Sequence, residues 1–251
     1  MSNPWDLKTD DSRSSDDLYT FIIFCEDEVS EYFYFKWFET SLIKINVINK
    51  QKSMLSNVTK AITYCHSNEI LSFKEGKYFL ESEGIEIWCV FDRDKESNPV
   101  LIEEKNNEFN LSIKTAHDNQ MKVAWSNDAF ELWILLHLME INHDEAESSK
   151  RFYYYDQLTN HYKNHPNPNT DLMKALTHPS FNYKKDMKHR DNFNNIVRSE
   201  ILPFTNIAIE RAKKLNDKHK DKANYYEKHP CTLVYELVES LMLKGKKELP
   251  K

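Results

Sequence analysis

Two aspartates with one residue between them close an apolar run in this chain. In IEIWCVFDRDK, Ile85–Lys95, seven residues that read as a buried strand give way to Asp92-Arg93-Asp94. An earlier apolar run, Tyr19–Cys25, gives way to Glu26-Asp27-Glu28, and a third, Met121–Trp125, to Ser126-Asn127-Asp128 with Glu131 one turn further on. Carboxylates brought together repel, and one or more takes up a proton unless a cation compensates. Hard oxygen ligands without a convergent Cys/His set suit Mg²⁺ or Mn²⁺ better than zinc. Two such ions roughly 4 Å apart would clamp the attacking and leaving oxygens of a phosphoryl transfer. Taken singly, each acidic cluster also reads as a helix cap or a solvated loop.

The elements that must position these residues are short apolar strands alternating with helices. Strands are predicted at Tyr19–Cys25, Ile45–Ile48, Ile85–Phe91 and Met121–Trp125. Helices are predicted at Ser30–Ile43, at Ser56–Ile70 with Ser56 or Asn57 as N-cap, across most of 98–115, and at Asp128–Met139. Such alternation predicts a mostly parallel sheet covered on both faces, with working residues at the carboxyl ends of its strands. After about residue 140 the strand signal disappears, and helices are predicted at Tyr153–Tyr162, Asp171–Leu176, Asp191–Leu215 and Thr232–Leu243. Pro203 should interrupt the third of these, and the stretch 165–170 reads as a loop. The division is therefore a flexible acidic tail over 1–16, an α/β domain over 17–140, and a helical C-terminal region over 141–251 packed on it.

Composition narrows the chemistry. The 251 residues are 40% hydrophobic and 13% aromatic, enough for a sizeable core. No apolar run approaches the roughly 20 residues of a membrane-spanning helix, and the polar N-terminus lacks a signal pattern, so a cytoplasmic protein is expected. The cysteines at 25, 65, 89 and 231 stand alone and read as buried, reduced residues. Only Gly76, Gly84 and Gly245 occur, which excludes the phosphate-cradling P-loop and the dinucleotide GxGxxG turn. Residues 184–222 carry 11 Lys+Arg against 6 Asp+Glu, a local +5 that leaves −11 on the rest of a chain whose net charge is −6. A basic segment beside an acidic body could hold a nucleic-acid backbone near the carboxylates, or could be an ordinary solvated face.

The order strand–Glu, then strand–Asp-x-Asp, resembles the Toprim domain of topoisomerases, primases and several nucleases. More specifically, the chain resembles the RloB-like (AbiLii-like) family of bacterial phage-defence and restriction-associated loci. The likeness rests on FIIFCEDEVSEYFYFKWF (21–38), IWCVFDRDK (87–95), WSNDAFELWILLHL (125–138) and HPCTLVYELVESL (229–241), the third being the most specific. Carried over residue by residue, it implies Glu26 as general acid/base or metal ligand, Asp92 and Asp94 as Mg²⁺ ligands, and Glu131 as a further catalytic or ligating carboxylate. Asp27, Glu28, Glu31 and Asn127 are accessory candidates. Lys184, Lys185, Lys188 and Arg190 are weaker candidates for contact with substrate phosphates, and His137 is expected to pack against the sheet. The resemblance implies a metal-dependent nuclease acting on RNA, such as tRNA, or on DNA. It also implies a separately encoded ATPase partner and allows a homo-oligomer; a non-catalytic adaptor is the competing reading. One departure stands out: where the family has Gly after the glutamate, this chain has Asp27, adding charge where a phosphate would come.

Overall fold

In the computed structural model, residues 18–94 and 98–250 are described; the expected acidic tail over 1–16 lies outside them. The chain is a mixed α/β structure with a five-stranded central sheet in the order β2-β1-β5-β6-β7. The first elements are β1 (Tyr19–Phe24), α1 (Ser30–Lys36), β2 (Ile43–Ile48) and α2 (Met54–Ser67). A hairpin follows, β3 (Leu71–Lys74) and β4 (Lys77–Leu80), and then β5 (Ile85–Asp92), α3 (Pro99–Asp118), β6 (Lys122–Asn127) and α4 (Glu131–Leu138). Strands β2, β1, β5 and β6 are mutually parallel, so the sheet is mostly parallel, as the alternating pattern predicts.

Both faces of the sheet are buried, and the two-residue period of a strand divides its side chains between them. Phe21, Ile23, Trp88, Val90 and Ala124 face one core with α1 and α4. Ile22, Phe24, Ile87, Cys89, Phe91, Val123 and Trp125 face the other with Val58, Ala61 and Cys65 of α2 and Phe109, Ile113 and Ala116 of α3. A strand buried on both sides has no polar face, which is why YTFIIF and IEIWCVF are mostly apolar, with the buried Thr20 and Glu86 as exceptions. All four cysteines are buried and free.

The C-terminal region is helical: α5 (Arg151–Lys163), α6 (Thr170–Leu176), α7 (Tyr183–Asp186), α8 (Arg190–Asn192), α9 (Ser199–Ile201), α10 (Thr205–Lys218) and α11 (Val234–Gly245). The helix expected over 191–215 is broken twice, by a π-helical stretch at Phe193–Arg198 and by a 3₁₀ turn at Leu202–Phe204 that contains Pro203. The strand signal also returns where none is predicted: β7, Cys231–Thr232, pairs antiparallel with the end of β6, Thr232 opposite Ser126 and Cys231 opposite Asn127. Two residues are too few to leave a period-2 pattern, but they tie the C-terminal segment to the sheet edge that carries Asn127.

The β3–β4 hairpin is likewise unpredicted. Its two-residue turn is Glu75-Gly76, both at positive φ (52° and 80°), a backbone that Gly adopts freely and that suits the twist of a tight hairpin. Helix α1 stops at Lys36, short of the predicted Ile43, because Ile43 and Ile45 are taken up by β2 alongside β1. Among the described residues no helix is long and apolar enough to cross a membrane.

Candidate active site

Register brings the acidic residues together. Phe24 of β1 pairs with Cys89 of β5, and Asp92 of β5 with Ser126 of β6. Glu26 therefore leaves the sheet beside Asp92, and Asp92 beside the turn into α4. The contact is direct: the Asp92 backbone N–H donates to Glu26 Oε1 at 3.1 Å. From the α2 side, Ser53 Oγ donates to the Asp92 carbonyl at 3.0 Å, and the Asn57 amide donates to the Val90 carbonyl at 3.2 Å. Side chains of α2 thus hold the last turn of β5 in place. The caps predicted at Ser56 or Asn57 are not what the helix uses: Ser53 occupies the N-cap position, and its hydroxyl is spent on the strand.

Three carboxylates crowd this point. Glu31, 2% exposed on α1, accepts from the backbone N–H groups of Glu26 (2.9 Å) and Asp27 (2.8 Å) and so holds the chain as it leaves β1. Burial raises the Glu26 carboxyl to about 7, the charge of Asp94 adding to the rise while Ser53, the Asp92 N–H and Arg151 oppose it. Burial likewise pushes Asp92 well above the ordinary carboxylate range, helped by Glu31, Glu26 and Glu131. Glu31 is raised for the same reasons, burial first and then Glu26. The three titrate as a set, sharing protons that like charges at this spacing cannot all give up. Asp92 Oδ1 is buried with no hydrogen-bond partner. A buried acceptor left unpaired is costly unless something else satisfies it.

Among the described residues, Lys188 and Arg151 are cations that border the set. Lys188 Nζ lies 2.8 Å from Glu131 Oε1 and 3.0 Å from Asp27 Oδ2. Burial would discharge this ammonium, but Glu131 and Asp27 outweigh burial and hold it firmly charged. Asp27 also accepts at Oδ1 from the backbone N–H groups of Val29 (2.6 Å) and Ser30 (3.0 Å), at the start of α1. Burial alone would raise Asp27, but Lys188 and these N–H groups lower it. Arg151 forms the second clamp: its Nη2 is 3.0 Å from Asp128 Oδ1 and 2.9 Å from the Asp128 carbonyl, its Nε is 3.3 Å from Asp128 Oδ2, and it also pairs with Asp94.

The residues expected to work together are thus sorted by the structure. Glu26 and Asp92 adjoin, with Glu31 and Glu131 around them. Asp94, the second aspartate of the Asp-x-Asp pair, is exposed and faces Arg151. Asn127 is fully buried and structural in its contacts: its Oδ1 accepts from Arg93 Nη1 at 3.0 Å, and its amide donates to the carbonyls of Tyr226 (3.2 Å) and Lys228 (2.8 Å). Glu28 is exposed and paired with Lys50 at 2.5 Å. Of the four basic candidates only Lys188 turns into the acidic centre. Lys184, Lys185 and Arg190 are exposed, Lys184 lying over the Tyr155 ring at 5.5 Å and Arg190 over Phe33 at 5.3 Å. His137 packs in the core as expected. A carbonyl can only accept, so its Nδ1–H donates to Trp133 O at 2.8 Å, leaving Nε2 to accept from Tyr34 at 3.1 Å; burial lowers its pKa to about 4.

Arg151 and Glu31's backbone-clamping role were not read from the sequence. The signal for Arg151 was there: it is the first residue of α5, where the helix dipole disfavours a cation, and no acidic residue sits in that turn. A cation kept in that place has business elsewhere in the fold, here with Asp128 and Asp94.

Residues 21–241 match the family of RloB-like proteins. The chain belongs to that family. The matched span covers every strand of the sheet after the first residues of β1 and reaches into α11, so it includes Glu26, Asp92, Asp94, Glu131 and Lys188. No curated protein and no solved structure matches the chain.

Proposed function

We propose that this RloB-like protein is a metal-dependent nuclease of the Toprim type, cutting phosphodiester bonds of RNA or DNA as an effector of bacterial phage defence. The observation that carries the reading is the pairing of Glu26 with Asp92 at the carboxyl ends of adjacent parallel strands. Both carboxyls are raised first by burial, Glu26 further by the charge of Asp94 and Asp92 further by Glu31, Glu26 and Glu131, and Asp92 Oδ1 is unpartnered. An all-oxygen set that repels itself and keeps one buried acceptor unpaired suits a hard divalent cation. Glu26 and Asp92 would hold Mg²⁺ or Mn²⁺; a third protein ligand would have to come from Glu31 or Asp94 by movement, since Glu31 holds the Glu26 and Asp27 N–H groups and Asp94 faces Arg151. When bound, such an ion supplies charge stabilisation at the phosphoryl oxygens and lowers the pKa of a ligated water.

The chain's own groups do the rest. Glu26, titrating near 7, can take or return a proton at neutral pH. Lys188 keeps its charge in the centre and can turn from Glu131 toward a substrate phosphate. Lys184, Lys185 and Arg190, exposed beside it, can track the nucleic-acid backbone. The family resemblance implies a separately encoded ATPase partner, consistent with a chain that has no glycine-rich phosphate loop of its own.

The test is cleavage of tRNA and of duplex and single-stranded DNA with Mg²⁺ or Mn²⁺, by wild type, Glu26→Gln and Asp92→Asn. Both variants should lose cleavage by a factor of about 10³ or more, since each removes a ligand and a charge from the reacting centre. Undiminished cleavage by both would sink the assignment. A second reading, a non-catalytic adaptor on the same scaffold, is favoured by one observation: Asp27, Glu131, Asp94 and Asp128 already have cationic partners within the chain. An adaptor would bind nucleic acid or partner with no metal-dependent turnover.

A further inference from the structure

Away from the acidic centre, the far end of α5 carries a second set of ligating groups. His161 lies in the last turn of the helix and His165 just past its C-cap, Asn164, so the two imidazoles are four residues apart and meet on one side. Glu200 of α9 faces both. Its Oε1 is 2.5 Å from His161 Nε2 and 3.2 Å from His165 Nε2. One ligand atom from each of the three residues lies within 4.8 Å of the other two, and all three residues are half-buried. Beside them the Tyr162 hydroxyl is fully buried without a hydrogen-bond partner, close enough to Glu200 for that carboxylate's charge to raise it after burial does.

We propose that His161, His165 and Glu200 form a zinc-class transition-metal site that fastens the C-terminal end of α5 to α9. The donor set decides the metal. Two imidazoles and one carboxylate suit borderline cations such as Zn²⁺, whereas Mg²⁺ prefers oxygen alone. The spacing fits as well. Tetrahedral zinc at 2.0–2.2 Å from each donor sets neighbouring donors about 3.3 Å apart. The His165–Glu200 pair is already there, and the His161–Glu200 pair has only to open by under about 1 Å. Three protein ligands leave the fourth position to water.

Metal would also redirect a proton in a way that can be followed. The Asn167 backbone N–H donates to His165 Nδ1 at 3.2 Å, so the neutral ring carries its proton on Nε2, aimed at Glu200. Ligation through Nε2 moves the ring proton to Nδ1, and the Asn167 N–H must release. The consequence for the fold is a brace. Helix α5 begins at Arg151, which clamps Asp128 and Asp94 next to the acidic centre, and ends at this cluster. Fixing one end of the helix limits how far the other can swing. The site does not depend on the nuclease reading.

The experiment uses the full chain, stripped with a chelator and titrated with Zn²⁺ and, in parallel, Co²⁺. Wild type should melt several degrees higher with about one equivalent of zinc, and cobalt should give the intense visible bands of a four-coordinate nitrogen-containing site. His161→Gln, His165→Gln and Glu200→Gln should each lower zinc affinity by more than the roughly 10–100-fold that changes outside the ligand set cost. Asp92→Asn should leave the zinc response intact, and the Asn167 amide resonance should shift on zinc addition. The proposal is overturned if wild type shows neither a zinc-dependent rise nor four-coordinate cobalt bands. It is equally overturned if the response survives Glu200→Gln, or if Asp92→Asn abolishes it. Should a histidine variant fail to fold, Glu200→Gln with the cobalt spectrum decides.

Discussion

Replacing Glu26 by Gln should make the metal-free protein more stable, chiefly at neutral to alkaline pH. Burial carries this carboxyl from an ordinary 4.5 to about 7 in the fold. A group whose folded pKa is raised contributes stability in full below the unfolded pKa and loses it as pH climbs through the folded one. For Glu26 the loss runs from about pH 4.5 to about 7 and amounts to about 3 kcal/mol. Glutamine carries no charge to bury, and its carbonyl oxygen can still accept from the Asp92 N–H. Glu26→Gln should therefore exceed wild type by under about 1 kcal/mol at pH 5 and, at pH 8, by roughly 6–12 °C in Tm, given about 2–4 °C per kcal/mol for a chain of this size. Water reaching a half-buried carboxyl trims this toward the lower value. Thermal melts in chelator at the two pH values measure it. A variant equally or less stable than wild type at pH 8, with the same gap at pH 5, would refute the reasoning, because Glu26 would then not be a strained buried acid. The gain in stability should coincide with the loss of cleavage, the pattern expected when a site is kept strained for function.

The same titration governs the metal. A cation must displace the proton that Glu26 holds below about 7, so the Mg²⁺-induced rise in Tm should be larger at pH 8 than at pH 6. An equal rise at both would place the ion elsewhere. Lys188→Met should cost about 3 kcal/mol in denaturant unfolding, because it strands Glu131, 2% exposed, and Asp27 without their cation. Adding Glu131→Gln to Lys188→Met should restore a good part of that loss; a double variant no more stable than the single one would show that the pair is not what holds Lys188 in place.

The sheet and the meeting of Glu26 with Asp92 were legible because both follow from local patterns. Buried parallel strands must be apolar on both faces, and the carboxyl ends of adjacent strands must lie together. What was illegible depends on contacts distant in sequence. Arg151 reaches Asp94 across 57 positions and Asp128 across 23, and β7 pairs with β6 across about a hundred. The Asp-x-Asp spacing suggested two equivalent ligands, because alternate residues share a face while a strand continues. Strand β5 stops at Asp92, and beyond it Asp94 is free to turn outward to the arginine. The hairpin was missed because its strands are four residues long and carry Phe73 and Phe79 on exposed positions, which blurs the alternation.

Asp27 stands where the family resemblance implies a glycine, and its contacts show how the chain accommodates a charged side chain there. Glycine is needed where φ is positive or where a backbone must approach closely. Among the described residues with positive φ, Asp27 is not included, so the substitution carries no backbone strain. Its charge is absorbed as well: one oxygen takes the two N–H groups at the start of α1 and the other takes Lys188. Lys188 also pairs with Glu131, so a single ammonium is shared by two carboxylates, and Glu131 still adds to the repulsion on Asp92. Asp27 and Lys188 therefore form a compensated pair. It follows that Asp27→Gly should free Lys188 to face Glu131 alone, or a phosphate, and should leave the Glu26–Asp92 pair intact. Among the described residues, Glu26 and Asp92 have no such cation within hydrogen-bonding contact; in the proposed function they are the carboxylates whose charge a divalent cation would balance.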